Sequence, residues 1–218
     1  MPLNAIATHL APHGLIVRGG FHLEPSDGVP GDPATLVVIG NAGPDMWRVF
    51  QAERGDGPDP LDAWTRGVIT NVAEMVGASA LFPFDGPPYW PFQKWAMRSE
   101  AVFESPIGPL VHPVYGLWHG YRGALAFAEK IELPPPIAAV SPCEACADKP
   151  CLSSCSVGAL SQGGYDVPAC VSHIGSDAGS DCLQMACVAR RACPVGREFH
   201  QEPAQAGFHM RHFLASNG

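Results

Sequence analysis

The sequence predicts an α+β chain in two parts, a mixed domain over residues 1–136 and a small cysteine-rich domain over 137–218. Strand-like and helix-like stretches interleave through the first part. The run Leu133-Pro134-Pro135-Pro136 then interrupts the chain, since successive prolines continue neither a helix nor a central strand and favour an extended spacer. All eight cysteines lie beyond it, between Cys143 and Cys193.

Within the first part, Gly14–Leu23 reads as a strand broken at Gly19-Gly20, and Ala34–Gly40 as a buried strand. Asp59-Pro60 opens the most regular helix. Asp59 suits the cap, Pro60 the first turn, and Leu61, Trp64, Val68, Val72 and Met75 make one apolar stripe. Ala78–Phe84 and Gly123–Ile131 read as strands and Pro91–Phe103 as a helix. With 24 glycines and 23 prolines in 218 residues, helices should be short and loops numerous. Neither G-x-G-x-x-G nor G-x-x-x-x-G-K-S/T occurs, which argues against an ordinary nucleotide-binding domain.

The cysteines run Cys143-x2-Cys146-x4-Cys151-x3-Cys155, then Cys170, then Cys182-x4-Cys187-x5-Cys193-Pro194. A closely spaced group, an interval and a closing Cys-Pro form the ligand pattern of a two-cluster ferredoxin, in which one cysteine of each run serves the other cluster. Applied here, Cys143, Cys146, Cys151 and Cys193 hold one [4Fe–4S] cluster, and Cys155, Cys170, Cys182 and Cys187 the second. Two spacings depart from the simplest pattern: four residues separate Cys146 from Cys151, and Ser156 stands where a proline commonly follows the fourth cysteine. Zinc on Cys143, Cys146, Cys151 and Cys155 is one rival, though it strands the other four thiols. Disulfides are the other, suited to a secreted domain.

A formal charge of −8 argues against nucleic acid and suits a basic redox partner, such as a flavodoxin or a reductase. No apolar run approaches bilayer length, and Met1–Gly14 lacks the features of a signal peptide. The cytoplasm is the expected location, with no membrane partner.

One further segment stands out, Ile107 to Phe127. Its glycines Gly116, Gly120 and Gly123, with aromatics between them, permit close approach to a flat ligand. A turn-rich connection with core aromatics is the plainer alternative. The stretch Pro106–Pro135 resembles the matching segment of cobalamin C-type processing proteins, with its His112-Pro113, Gly116, Trp118, Arg122-Gly123 and closing prolines. Phe21-His22-Leu23-Glu24-Pro25, Thr35–Gly40, Pro44-Asp45-Met46 and Asp59-Pro60-Leu61-Asp62 fit the same order. The cysteine half is similar to epoxyqueuosine reductases and corrinoid reductive dehalogenases, with Tyr165–Ile174 around the isolated cysteine.

These resemblances imply a nitroreductase-like α/β sandwich domain holding cobalamin base-off, beside a ferredoxin-like module that passes electrons to cobalt. Cobalt reduction or removal of an upper ligand would follow. They imply a corrinoid-facing set of His112, Tyr115, Gly116, Trp118, His119, Gly120, Tyr121 and Arg122, and a homodimer by analogy. No Asp-x-His-x-x-Gly cobalt-ligand motif is present. The tRNA-binding helical repeats of epoxyqueuosine reductases and the catalytic acid of either enzyme family have no clear counterpart. A ferredoxin-type electron carrier without corrinoid stays open, as does a flavin-dependent small-molecule reductase.

Among other residues, Tyr115, Tyr121 and Asp85 are available proton donors or acceptors, though their spacing requires no catalysis. His200, His209 and His212 read as a surface tail. Phe82, Phe84, Tyr89, Trp90 and Phe92 form an aromatic cluster suited to a core.

Overall fold

The computed structural model describes residues 3–135, 137–161 and 163–218. Pro136, the last of the three boundary prolines, lies outside them. The chain forms two compact units, Met1–Ala101 with Gly120–Ala138, and Val102–His119 with Ala139–Gly218. The stretch 102–119, which composition places in the first domain, packs with the cysteine half instead. Its apolar side chains belong to that half's core: Phe103, Ile107, Val111 and Leu117 cluster with Leu160 and Ala189.

In the first unit the helices are α1 (Leu3–Leu10), α2 (Asp45–Glu53), α3 (Pro60–Val76) and α4 (Phe92–Ser99). The strands β1 (Ile16–His22), β2 (Thr35–Ala42), β3 (Ser79–Leu81) and β4 (His119–Phe127) form a sheet of order β1-β2-β4-β3. β1 pairs antiparallel with β2, and β3 with β4. β2 is buried from Thr35 to Asn41, which is why its sequence is continuously apolar rather than alternating. One face packs Phe21, Leu36, Val38, Ala124 and Ala126 against Phe92 and Trp95 of α4.

α3 buries Leu61, Trp64, Val68 and Val72, as the stripe predicts. Met75 does not follow them: it is 58% exposed, and Val76 takes the inward place in the last turn. Asp59 occupies the cap position, but its side chain makes no capping hydrogen bond. β4 begins four residues before Gly123, so Gly120, Tyr121 and Arg122 lie in the sheet.

The register of β1 against β2 shifts between Val17 and Gly20. Gly19 has φ +91°, and a Cβ there would lie 2.1 Å from the Ser99 carbonyl oxygen. Only glycine lets the end of α4 come this close. The approach brings Glu100 onto Arg18, whose Nε lies 2.9 Å and 3.1 Å from the two carboxylate oxygens. Tyr121 donates its hydroxyl to the same carboxylate at 2.9 Å. Arg18 is buried, so this contact supplies the anion that an interior guanidinium requires.

The second unit contains short helices α5 (Pro142–Ala145), α6 (Pro150–Ser153), α7 (Val167–Ile174), α8 (Ser180–Met185) and α9 (Val188–Arg191), then α10 (Pro203–Asn217). Strands β5 (Leu160–Ser161) and β6 (Gly164–Tyr165) make a small hairpin. α10 packs on α7 and α8, with Gln205, Ala206 and Gly207 buried. The histidines read as a surface tail therefore belong to structured chain, and the His200 ring lies 4.3 Å from that of Trp118. Among the described residues, no helix is long and apolar enough to cross a membrane.

Candidate metal centre

The eight cysteines line two separate cavities in the second unit. Cys143, Cys146, Cys151 and Cys193 share a small cavity with Val111, Lys149 and the prolines beside the cysteines, Pro142, Pro150 and Pro194. Cys155, Cys170, Cys182 and Cys187 share another with Ser156, Leu160, Tyr165, His173 and Met210. This division follows the interlocked order rather than the order of the runs.

Local structure accounts for the placement. Ser141 caps α5, its hydroxyl accepting from the Cys143 amide at 3.3 Å, so Cys143 and Cys146 sit at either end of one helical turn. The long Cys146–Cys151 interval is taken up by a reversal at Lys149, φ +38°, before Pro150 restarts the helix. Asp166 caps α7, accepting from the Ala169 amide at 2.9 Å, and fixes the helix that carries Cys170 and His173. Ala186, at φ +72°, turns the chain between Cys182 and Cys187. Such a φ is costly for a residue with a Cβ and persists where surrounding packing imposes it.

Burial pushes the thiols of Cys143, Cys151, Cys170, Cys182 and Cys187 above their ordinary pKa. Neighbouring cysteines add to the effect within each set. Cys193 and Cys146 act on Cys143, whereas Cys155 and Cys182 act on Cys170. Thiols so placed ionise when a metal centre supplies positive charge, with release of protons. Among the described residues, no three His, Cys, Asp or Glu side chains converge closely enough for a single metal ion. A tetrahedral zinc site would draw its sulfurs to within about 3.8 Å of one another, given a Zn–S bond of about 2.3 Å. Four thiols gathered around one proline-walled cavity match the donor set of a [4Fe–4S] cluster.

The segment 112–119 supports the first cavity. Gly116 has φ +56°, and a Cβ there would lie 2.0 Å from the Val195 carbonyl oxygen. At Gly116 the close approach is made by protein backbone, two residues beyond Cys193. Nδ1 of His112 accepts from the amides of Val114 and Tyr115 at 3.0 Å and 3.1 Å. Tyr115 meets Phe199 edge-on at 4.9 Å, and Nε2 of His119 lies 3.0 Å from the Leu110 carbonyl oxygen. Trp118 is buried, with the Arg190 guanidinium 4.5 Å from its ring centre. Arg190 also donates to the Leu117 carbonyl at 2.6 Å, and burial draws its pKa down to about 10.

The structure thus divides the eight residues assigned to a corrinoid. His112, Tyr115, Gly116, Trp118 and His119 lie in the second unit, and Gly120, Tyr121 and Arg122 in the first. Arg122 donates from Nε to the Asn41 side chain at 3.0 Å; burial lowers its pKa to about 10, with Asp62 opposing. Asp85 is paired with Arg66. Sequence reasoning passes over Ser141, Lys149 and Glu100. The first two betray themselves only as a cap before Pro142 and a residue before Pro150, and Glu100 carries no local signal.

No protein-family model and no curated protein matches the sequence. Solved structures do match, and what they show is the fold, an α+β arrangement shared with epoxyqueuosine reductases. The individual matches are epoxyqueuosine reductases. That from Streptococcus thermophilus aligns over 93% of this chain and 69% of its own, at 13% identity and a TM-score of 0.53. A second, bound to a tRNA stem loop, aligns over 94% and 68%, at 14% identity and a TM-score of 0.56. A third, from Bacillus subtilis with its catalytic loop swung out of the active site, aligns over 94% and 71%, at 14% identity and 0.51. The resemblance of the cysteine half to this family holds at the level of fold and extends over nearly the whole chain. One structure of this fold is bound to a tRNA stem loop, which stands against the exclusion of nucleic acid drawn from the −8 charge.

Proposed function

We propose that the chain is an iron–sulfur oxidoreductase with two [4Fe–4S] clusters, one on Cys143, Cys146, Cys151 and Cys193, the other on Cys155, Cys170, Cys182 and Cys187. The observation that carries this is the separation of eight thiols into two four-thiol cavities in interlocked order. When bound, such clusters supply one-electron transfer at low potential. The chain's own part is to hold the thiols and keep water out. Pro142, Pro150 and Pro194 wall the first cavity without amide donors, and Leu160, Ile174 and Met210 wall the second with apolar surface.

The finer proposal concerns the acceptor. By resemblance it is a corrinoid, held base-off by a nitroreductase-like first domain, with Gly120, Tyr121 and Arg122 as candidate contacts. Cobalt reduction or upper-ligand removal is then the reaction. Anaerobic titration of cluster-loaded protein with cob(II)alamin, followed by absorbance and EPR, tests it. A shift to the base-off spectrum supports the corrinoid site. No shift with both clusters loaded refutes it, leaving an electron carrier or, if yellow flavin copurifies, a flavin-dependent reductase.

A second reading, reduction of a modified base in tRNA, is favoured by the neighbour bound to a tRNA stem loop. It predicts stem-loop binding that weakens steeply with salt despite the net charge. Absence of binding at low salt would remove it.

A further inference from the structure

The thiols of the second cavity come from separate stretches of chain, and Cys155 belongs by sequence to the run that otherwise lines the first. In the simple pattern a proline follows this cysteine and stiffens the backbone; here the residue is Ser156. Ser156 and His173 both line the second cavity beside Cys155 and Cys170. Oγ of Ser156 and Nε2 of His173 are hydrogen-bonded at 3.2 Å, across 17 residues of sequence. The contact joins the loop of Cys155 to the helix of Cys170.

His173 is a firm anchor for such a contact. It lies three residues after Cys170 on α7, a spacing that makes the two side chains neighbours on one face of the helix. Its carbonyl accepts from the Ser176 amide at 3.0 Å and from the Ser176 hydroxyl at 2.7 Å. Gly179 is buried against the same carbonyl, where a Cβ would lie 2.1 Å from the oxygen. Asp166 caps the other end of α7, so the helix is fixed at both ends. The loop after Cys155 is not. Ser156 and Val157 are exposed, and a Cβ on Gly158 would meet nothing within 4 Å. The bond to His173 therefore ties an open loop to a fixed helix.

Resting on the two-cluster reading, we propose that Ser156 and His173 form a latch that holds Cys155 in place beside Cys170 for the second cluster. A hydrogen bond between side chains takes over the restraint that proline gives in the simple pattern. The four thiols complete the ligand set, so Ser156 and His173 are positioning residues that act through the loop and the helix. Groups that orient metal ligands govern how tightly the metal is kept. Losing the latch should loosen the second cluster and leave the first as it is.

The test is release of iron to ferrozine from the full chain after anaerobic reconstitution, in wild type, Ser156→Ala, His173→Phe and the double variant. Cys193→Ala, which leaves only the second set complete, identifies the phase that belongs to the second cluster. Each single variant should release that cluster roughly two- to tenfold faster, the range one hydrogen bond commands. A single variant that loads the first cluster alone shows the same effect in full. The double variant should be no faster than the singles, since all three lose one shared contact. Ser156→Thr keeps the hydroxyl and should release at close to the wild-type rate. Unchanged release in the single variants overturns the proposal, as do effects that multiply in the double variant. A threonine variant as fast as the alanine one, or loss of the first cluster as well, also overturns it. Wild-type protein that takes up no iron overturns the two-cluster reading itself, and iron analysis alone separates that failure from the others.

Discussion

Cys193 belongs by sequence to the last cysteine run, yet it lines the cavity of Cys143, Cys146 and Cys151. This placement can be tested without knowing the substrate. A fully loaded chain should carry about eight irons on two [4Fe–4S] clusters. Cys193→Ala removes one of four ligands from the first set, and Cys170→Ala one of four from the second, so each should leave about four irons in an intact cluster. The double variants decide the pairing. Cys143→Ala with Cys193→Ala strikes one set twice and should still hold about four irons. Cys170→Ala with Cys193→Ala strikes both sets and should hold close to none. Iron and acid-labile sulfide per chain after anaerobic reconstitution, with EPR spin counts on the dithionite-reduced protein, read the outcome. If the first double lost all its iron while the second kept half, Cys193 would pair with Cys170. The assignment drawn from cavity lining would then be wrong.

Two further outcomes follow from single contacts. Gly116→Ala forces a side chain into left-handed backbone, at about 1–2 kcal/mol, and drives a Cβ into the Val195 carbonyl, at about 1–3 kcal/mol more. The variant should melt earlier and release the cluster of Cys193 to a chelator before the other; an unchanged melting temperature would show that the contact is not constrained. His200 is held below the ordinary histidine pKa by burial first, then by Arg197, Arg190 and Arg191. A lowered pKa means the unfolded chain binds the proton more readily, so the stabilisation is complete above the unfolded value of 6.5 and is lost as pH falls towards the folded one. Thermal melts between pH 7.5 and pH 5.5 should show a decline in wild type that is shallower in His200→Phe, which keeps an aromatic ring beside Trp118; parallel declines would clear His200 of the effect.

What could be read ahead of the structure was whatever is encoded over a few neighbouring residues. Pro60 placed the start of α3, continuous apolar character marked β2 as buried, and cysteine spacing grouped the thiols as the cavities do. Such signals survive because caps, turns and ligand loops are short, and their geometry depends little on distant chain. The same locality explains the misses. Met75 fits the helical stripe, but which residue of the last turn faces inward depends on what packs against it. Asp59 has the right side chain for a cap, and the observed backbone there leaves it unused.

The segment 112–122 shows the limit most clearly. Its glycines and aromatics announce close packing, and nothing local says against what. Tertiary structure assigns Gly116 to the Val195 carbonyl, Trp118 to Arg190 and His200, and Tyr121 to Glu100. It also sends residues 102–119 to one unit and 120–138 to the other. The sequence by itself determined the α+β character and the two groups of thiols that line the cavities. Only the tertiary structure decided what each close-packed residue touches, because burial and charge pairing are settled by partners distant in sequence that no local pattern names.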